Sequence, residues 1–315
     1  MLVAADRGVR CLERMLEIKG TDDQLTVFTF KETPWEPKFV DKILNLSKLN
    51  DFQAFVTSKV DNEDYQKIWE QKPDLILVIG WRYLIPKRIY DAAKIGCFVF
   101  HDSLLPEYRG FSPTVWSIRN GEKYTGATLF KIVEAMDEGP ILLQRKVTIN
   151  DDEYIGEVVE KVTNAYLDIL QRAYIKLKSG DINLNEQDNC TATYTCKVKP
   201  EDFEIDWSKS AHDIKNLIRS YSHPYPGAHT YLGEQKLTLF NIEIDTSNNY
   251  VGLIPGRIVK IEKRGVFVAA SNALILIKDV YVNGQKHLAK DVLKSINLTL
   301  GKKTHCHCDN KPEYS

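Results

Sequence analysis

The sequence predicts an α/β fold: a Rossmann-like, mostly parallel sheet with flanking helices, followed by a smaller, mainly-β C-terminal domain of the OB-like barrel type. Three observations carry this expectation. Short, continuous apolar runs alternate with amphipathic stretches through the first half. The length of 315 residues allows about two domains. Beyond Thr191 the alternation gives way to closely spaced strand-like runs with few helices between them. The expected boundaries are 1–185 for the first domain, 191–300 for the second and 301–315 for a polar tail.

The elements follow in order. Leu2–Ala5 reads as a strand and Val9–Lys19 as a helix, with Cys11, Leu12, Met15 and Leu16 on one face. Gln24–Phe30 is a strand, Pro37–Leu46 a helix, Phe52–Thr57 a strand and Asn62–Gln71 a helix. Asp74–Gly80 (DLILVIG) and Gly96–Phe100 (GCFVF) are apolar without period-2 polarity, as strands buried on both faces are. Ala127–Val133 and Ile141–Ile149 are strand-like, and Glu153–Lys178 repeats apolar residues at helical spacing. The polar stretch Asp181–Cys190 reads as an interdomain connection. A helix at Ala211–Tyr221 follows the capping residues Ser208 and Ser210. Strand-like runs then occupy Lys236–Ile244, Gly256–Glu262, Val266–Ala270 and Ala273–Val282.

Hydrophobic residues make up 43% and charged residues 27%, enough to bury a core. The 42 basic and 43 acidic residues give a net charge of −1, so no global basic field draws the chain to nucleic acid. Six sparse cysteines fit a reducing compartment better than a disulfide framework, and the expected location is cytoplasmic. MLVAADRGVRC reads neither as a signal peptide nor as a membrane span, so no membrane partner is expected. Asp6-Arg7-Gly8 stands where a phosphate-binding glycine turn would, which argues against a bound dinucleotide.

Parallel sheets of this kind bind ligands beyond the carboxyl ends of their strands, so the loops after Gly80 and Phe100 are the places to look. His101 follows the Gly96–Phe100 run. Asp137 lies in a Met-Asp-Glu-Gly-Pro turn between two strands. A carboxylate near an imidazole fixes its tautomer and stabilises the imidazolium, which is a common proton-transfer pair. Taken alone, a histidine after a strand is more often structural, and spacing does not show that the two residues meet.

The segments HDSLLPEYRG, PTVWSIRNGE, TGATLF and DEGPILLQ, with ATYTCKVKPEDFEIDWSKSAHDIKNLIRSYSHPYPGAHTYL further on, resemble the 10-formyltetrahydrofolate-dependent formyltransferases along the whole chain. The resemblance implies an N-formyltransferase with 10-formyltetrahydrofolate as co-substrate and no metal. It gives His101 and Asp137 catalytic roles. It assigns the Gly80–Pro86 loop, with Trp81, Arg82, Tyr83, Leu84 and Ile85, to folate binding, the backbone holding the pterin. Ser103, Tyr108, Arg109 and Gly110 would face the acceptor. Arg109 would suit phosphate oxygens or, equally, pin the loop through an ion pair; Tyr108 would stack on a ring or simply pack. One departure stands out: the family usually has asparagine two residues before the histidine, and here that residue is Val99. Losing one oxyanion donor costs about 10²–10³ in rate.

Two acceptors compete. GWRYLIP, FHDSLLPEYRGFSPTVW and TLF look most like sugar N-formyltransferases, whose partner is a nucleotide-linked amino sugar in surface-polysaccharide synthesis. A methionyl-tRNA formyltransferase would be expected to carry a basic loop after its second strand, where residues 31–38 are short and mixed in charge. A folate or sugar-nucleotide binder without turnover is the third reading, motivated by Val99. A homodimer through the C-terminal domain is the candidate assembly. His305-Cys306-His307-Cys308 resembles metal bait, but adjacent ligands cannot easily surround one ion.

Overall fold

A computed structural model describes residues 1–33, 36–245, 247 and 250–301, which leaves the His305–Cys308 cluster outside the described residues. The chain divides into two compact units. The first comprises Met1–Thr114, Lys123–Asn150 and Val158–Lys197.

Its elements, in chain order, are β1 (Leu2–Val3), α1 (Ala5–Ile18), β2 (Thr26–Thr29), α2 (Val40–Leu49), β3 (Gln53–Val56), α3 (Gln66–Glu70) and β4 (Leu75–Ile79). Then come α4 (Lys87–Tyr90), β5 (Gly96–His101), β6 (Arg109–Gly110), α5 (Pro113–Arg119), β7 (Tyr124–Lys131), β8 (Ile141–Thr148), α6 (Ile155–Ser179) and β9 (Tyr194–Thr195). Seven strands form one sheet in the order β3-β2-β1-β4-β5-β7-β8. The first five run parallel, and β7 and β8 add an antiparallel hairpin at the edge. The mostly parallel α/β expectation therefore holds.

The apolar runs explain the centre of this sheet. Ile76, Val78 and Cys97 pack with Leu2, Phe28 and Ile89 in one buried cluster. Helix α1 begins four residues before the predicted start, so Asp6-Arg7-Gly8 forms its first turn rather than a loop. Gly8 makes this possible: a Cβ there would press within 3.2–3.4 Å of the Val3 and Ile79 backbones. Strand β5 runs one residue past the predicted end, so His101 is its last residue and pairs with Thr128 of β7. The polar stretch after α6 is not a free connection. Asn185 exchanges backbone hydrogen bonds with Ile141, and β9 pairs with β6, which keeps the chain with the first unit as far as Lys197.

The second unit comprises Val115–Glu122, Asp151–Glu157 and the chain from Val198 onward. It contains α7 (Ala211–Ser220), β10 (Ala228–Leu232), β11 (Gln235–Leu239), β12 (Glu243–Asp245) and β13 (Ile258–Glu262). β14 (Gly265–Ala269), β15 (Leu274–Ile277), β16 (Asp279–Val282), β17 (Gln285–Leu288) and α8 (Ala289–Val292) complete it. The strands form two four-stranded antiparallel sheets, β10-β11-β16-β17 and β12-β15-β14-β13. Ser210 caps α7, its hydroxyl accepting from the Asp213 N–H at 3.1 Å. Two runs predicted as single strands are each divided between the two sheets: Lys236–Ile244 into β11 and β12, and Ala273–Val282 into β15 and β16.

His229 sits buried on β10. Burial, aided by Lys236, lowers its pKa from 6.5 to about 4. The unfolded chain then takes up a proton near pH 6.5 that the native state refuses until about pH 4. Stability is expected to fall as pH drops through that window. Urea midpoints of the wild type and His229→Gln, measured from pH 7.5 to 4.5, should show a shallower decline in the variant.

Candidate active site

The carboxyl ends of β4 and β5 carry the loops singled out from the sequence. A cavity of about 200 Å³ opens there, lined by residues that include Gly80, Trp81, Val99, His101 and Pro113. Val99 and His101 share it because they are two residues apart on β5 and lie on the same face of the sheet. Val99 is half-buried against apolar neighbours and brings no polar atom to the wall.

The structure brings His101 and Asp137 together. His101 is 8% exposed. Its Nε2 lies 2.8 Å from the Tyr108 carbonyl, and since a carbonyl only accepts, Nε2 carries the proton and donates. The lone pair of the neutral ring is therefore on Nδ1, which faces Asp137 Oδ2 at 3.6 Å. A proton arriving at Nδ1 would form an ion pair with Asp137. The same carboxylate oxygen accepts the Gly110 N–H at 2.8 Å, which fixes its position. Asp137 and Tyr108 both adopt left-handed backbone, with φ of 55° and 59°. Such a conformation is unusual for an aromatic residue and persists only where the surroundings enforce it. Gly110 has φ 101°, and a Cβ there would come within 2.7 Å of the Thr195 carbonyl, so only glycine fits beside β9.

The remaining loop residues from the sequence are held internally. Ser103 is buried and its hydroxyl donates to the Glu107 carbonyl at 2.6 Å. Arg109 is fully buried. Its Nε and one terminal nitrogen donate to Gln187 Oε1 at 3.1 and 2.8 Å, and further bonds reach Asn189 Oδ1 at 2.7 Å and the Tyr194 hydroxyl at 3.0 Å. Glu138 lies 3.2 Å away as its counter-charge. Of the two readings for Arg109, this geometry is that of the loop pin. A direct phosphate contact would require breaking these bonds and uncovering a guanidinium with no exposed surface. Tyr108 is half-buried beside His101.

In the loop after β4, Trp81 packs edge-on against Phe30 and Tyr83 at centroid distances of 5.3 and 6.0 Å. Arg82 forms a two-pronged bond with Glu36 at 2.8 and 2.9 Å and stacks over Phe30. Burial alone would raise the Glu36 pKa, but Arg82 and Thr33 outweigh it and hold the carboxyl at about 2. Tyr83 and Leu84 are exposed and Ile85 is buried. The N–H groups of Arg82, Tyr83, Leu84 and Ile85 donate to no backbone carbonyl among the described residues, so they are available to a polar ring edge.

Sequence reasoning missed two groups. Gln187 donates from Nε2 to the carbonyls of Asp137 and Gly139 at 2.8 and 2.7 Å while its Oε1 accepts from Arg109. It thereby ties the Asp137 turn to Arg109 of β6. Arg7, Asp102 and Tyr166 form a second cluster, in which Asp102 pairs with Arg7 and accepts the Tyr166 hydroxyl. Burial would push the Asp102 carboxyl up, yet the Arg7 charge and the Tyr166 hydrogen bond bring it below its ordinary value. Asp102→Asn is expected to destabilise the chain by about 2–3 kcal/mol at pH 7, because it strands a largely buried guanidinium. A carboxylate with a lowered pKa contributes above its unfolded value and loses that contribution as pH falls. The gap between variant and wild-type denaturation curves should therefore close below about pH 4.

Residues 21–174 match the family described as Formyl transferase, and residues 197–297 match Formyl transferase, C-terminal domain. A methionyl-tRNA formyltransferase of Kosmotoga olearia is 36% identical over 224 residues, 71% of each chain. Among solved structures, an N-formyltransferase from Helicobacter canadensis, in complex with folinic acid and dTDP-3-aminofucose, superposes with a TM-score of 0.65 at 17% identity. That alignment covers 91% of this chain and 98% of that one. HypX from Aquifex aeolicus, in complex with tetrahydrofolic acid, gives a TM-score of 0.58 at 18% identity, over 85% of this chain and 46% of that one. The two family matches over this sheet and the domain that follows it define a group-transfer enzyme. The chain belongs to the formyltransferase family.

Proposed function

We propose that the protein transfers the formyl group of 10-formyltetrahydrofolate to the amine of a nucleotide-linked amino deoxysugar. The loop after β4 suits the folate: the N–H groups of Arg82–Ile85 donate to no backbone carbonyl among the described residues, and Trp81 and Tyr83 offer aromatic surface. The acceptor nitrogen attacks the formyl carbon, and its proton passes to His101 Nδ1, where Asp137 stabilises the imidazolium. Collapse of the tetrahedral intermediate breaks the bond to N10 of the folate, which takes a proton as it leaves. The products are the N-formyl sugar and tetrahydrofolate.

One observation carries the choice of acceptor. Arg7, which lines the cavity, and the loop residues Arg82 and Arg109 are each matched with a carboxylate: Arg7 with Asp102, Arg82 with Glu36 and Arg109 with Glu138. A tRNA enzyme needs many uncompensated cations, because each phosphate contact works by releasing counterions. A small nucleotide-linked substrate needs few. The second reading, a methionyl-tRNA formyltransferase, is favoured by the 36% identity to the Kosmotoga olearia protein.

Incubation with 10-formyltetrahydrofolate and a panel of nucleotide-linked 3-amino and 4-amino sugars, beside methionyl-tRNA, separates the two by mass spectrometry. Gain of one formyl group on an amino sugar is the expected result. Formylated methionyl-tRNA with every sugar unmodified would overturn the proposal in favour of the second reading.

A further inference from the structure

His101 and Asp137 each meet one of two successive peptide units. The Tyr108–Arg109 peptide aims its C=O at His101 Nε2, 2.8 Å away. The Arg109–Gly110 peptide aims its N–H at Asp137 Oδ2, also 2.8 Å away. Both peptides are trans. A trans peptide carries its C=O and N–H on opposite sides of one rigid plane, so a bond to one end aims the other. β9 and the residue before it hold both opposite ends. The Arg109 N–H donates to the Thr193 carbonyl at 2.8 Å. The Thr195 hydroxyl donates to the Arg109 carbonyl at 3.0 Å. Thr193 also accepts the Tyr108 N–H on its own hydroxyl at 2.8 Å. Tyr108 is thus gripped on both sides while its backbone stays at φ 59°, a conformation that costs a non-glycine residue free energy.

We infer that Thr193 and Thr195 are positioning residues: through these two peptides, Thr193 selects the tautomer of His101 and Thr195 sets the Asp137 carboxylate against it. Turning over one peptide shows why. As the Tyr108–Arg109 unit stands, a carbonyl faces Nε2, so Nε2 carries the proton and Nδ1 keeps its lone pair toward Asp137. With that unit reversed, an N–H would face Nε2 instead. The lone pair would then sit on Nε2 and the proton on Nδ1, and a nitrogen already protonated accepts no proton from an amine. Thr193 holds the unit in the first orientation, and Thr195 keeps the Gly110 N–H on the carboxylate. Neither threonine lines the cavity, so both act through the peptides. The kinetic consequence rests on the formyl-transfer reading above, whereas the tautomer does not.

Two measurements test this. The first reads the tautomer from ¹⁵N spectra of the whole protein with labelled histidine, at a pH where the ring is neutral, with His101 assigned by its loss in His101→Gln. In the wild type Nδ1 should resonate as a bare, pyridine-type nitrogen and Nε2 as a protonated, pyrrole-type one. Thr193→Val keeps the side-chain shape without the acceptor and should draw the two shifts toward each other as the second tautomer is populated. Thr193→Ser should restore the wild-type pattern. Thr195→Val should leave it unchanged, because that residue acts on the carboxylate. The second measurement is kinetic. Each valine variant should lower kcat about three- to tenfold, the scale of one neutral hydrogen bond, with KM changed less than about twofold. Each serine variant should recover the loss. A wild-type ring protonated on Nδ1 would overturn the inference without any variant having to fold. Wild-type shifts in Thr193→Val, shifts in Thr195→Val equal to those in Thr193→Val, or full kcat in either valine variant would also overturn it. Failure of the wild type to transfer formyl would strike the formyl-transfer reading, while the spectra would still decide whether Thr193 sets the tautomer.

Discussion

Replacement of His101 by alanine is expected to lower kcat for formyl transfer by about 10³, with the KM for the folate changed less than about threefold. The size follows from what Nδ1 does. The attacking nitrogen becomes strongly acidic once bonded to the formyl carbon, and the other polar groups of the lining, Arg7, Asp102 and Tyr166, are tied to one another. The reverse face of the ring matters as much. Nε2 is committed to the Tyr108 carbonyl at 2.8 Å, so the ring cannot flip to offer the other nitrogen without leaving that carbonyl unsatisfied. Loss of activity without loss of fold is checked by steady-state kinetics beside thermal unfolding. Partial recovery of His101→Gly by added imidazole would separate proton transfer from packing. An alanine variant with near wild-type kcat would make His101 a structural residue.

Asp137→Asn is the second large effect. The asparagine oxygen can still accept the Gly110 N–H, and Gln187 still holds the turn through its backbone carbonyls, so the fold should change little. What disappears is the negative charge 3.6 Å from Nδ1. The imidazolium formed during attack then loses the counter-charge that faces Nδ1, Asp102 being already paired with Arg7, and kcat should fall by about 10². Equal losses of kcat and of unfolding free energy would assign Asp137 to stability instead.

The physics of the parallel sheet made its centre legible in the sequence. β4 and β5 are buried on both faces, so their apolar runs have no competing pattern, and β5 carries His101 to the cavity. The hairpin of β7 and β8, with Asp137 at its turn, was readable chiefly through β7, which is buried along most of its length, whereas β8 is exposed over its middle. Edges were less so. β17 reads Gln-Lys-His-Leu with every residue exposed, and it lies at the edge of its sheet beside β16, so neither period nor hydrophobicity marks it. Helix α1 hid its first turn because Asp6 and Arg7 look like loop residues until Gly8 is seen against the sheet. Gln187 could not be anticipated. It stands 50 residues from Asp137 and 78 from Arg109, in a polar stretch whose composition is that of a linker. Its value comes from its position in space: one amide side chain satisfies two carbonyls of the turn and a buried guanidinium. The pairing of Asp102 with Arg7 was invisible for a like reason, since 95 positions separate them and each alone looks like a solvent-facing charge. Arg109 shows the opposite lesson. Its chemistry suits phosphate, but burial and four polar neighbours turn it inward.

A single-turnover transfer with the formyl carbon of 10-formyltetrahydrofolate labelled with ¹³C is the decisive measurement of formyl transfer through His101. Wild-type protein and His101→Ala are run in parallel against the nucleotide-linked amino sugars. The label is expected to move onto the acceptor nitrogen as an N-formyl group in the wild type, and about 10³ more slowly in the variant. Label that stays on the folate in the wild type, or that moves at the same rate in both proteins, would contradict it.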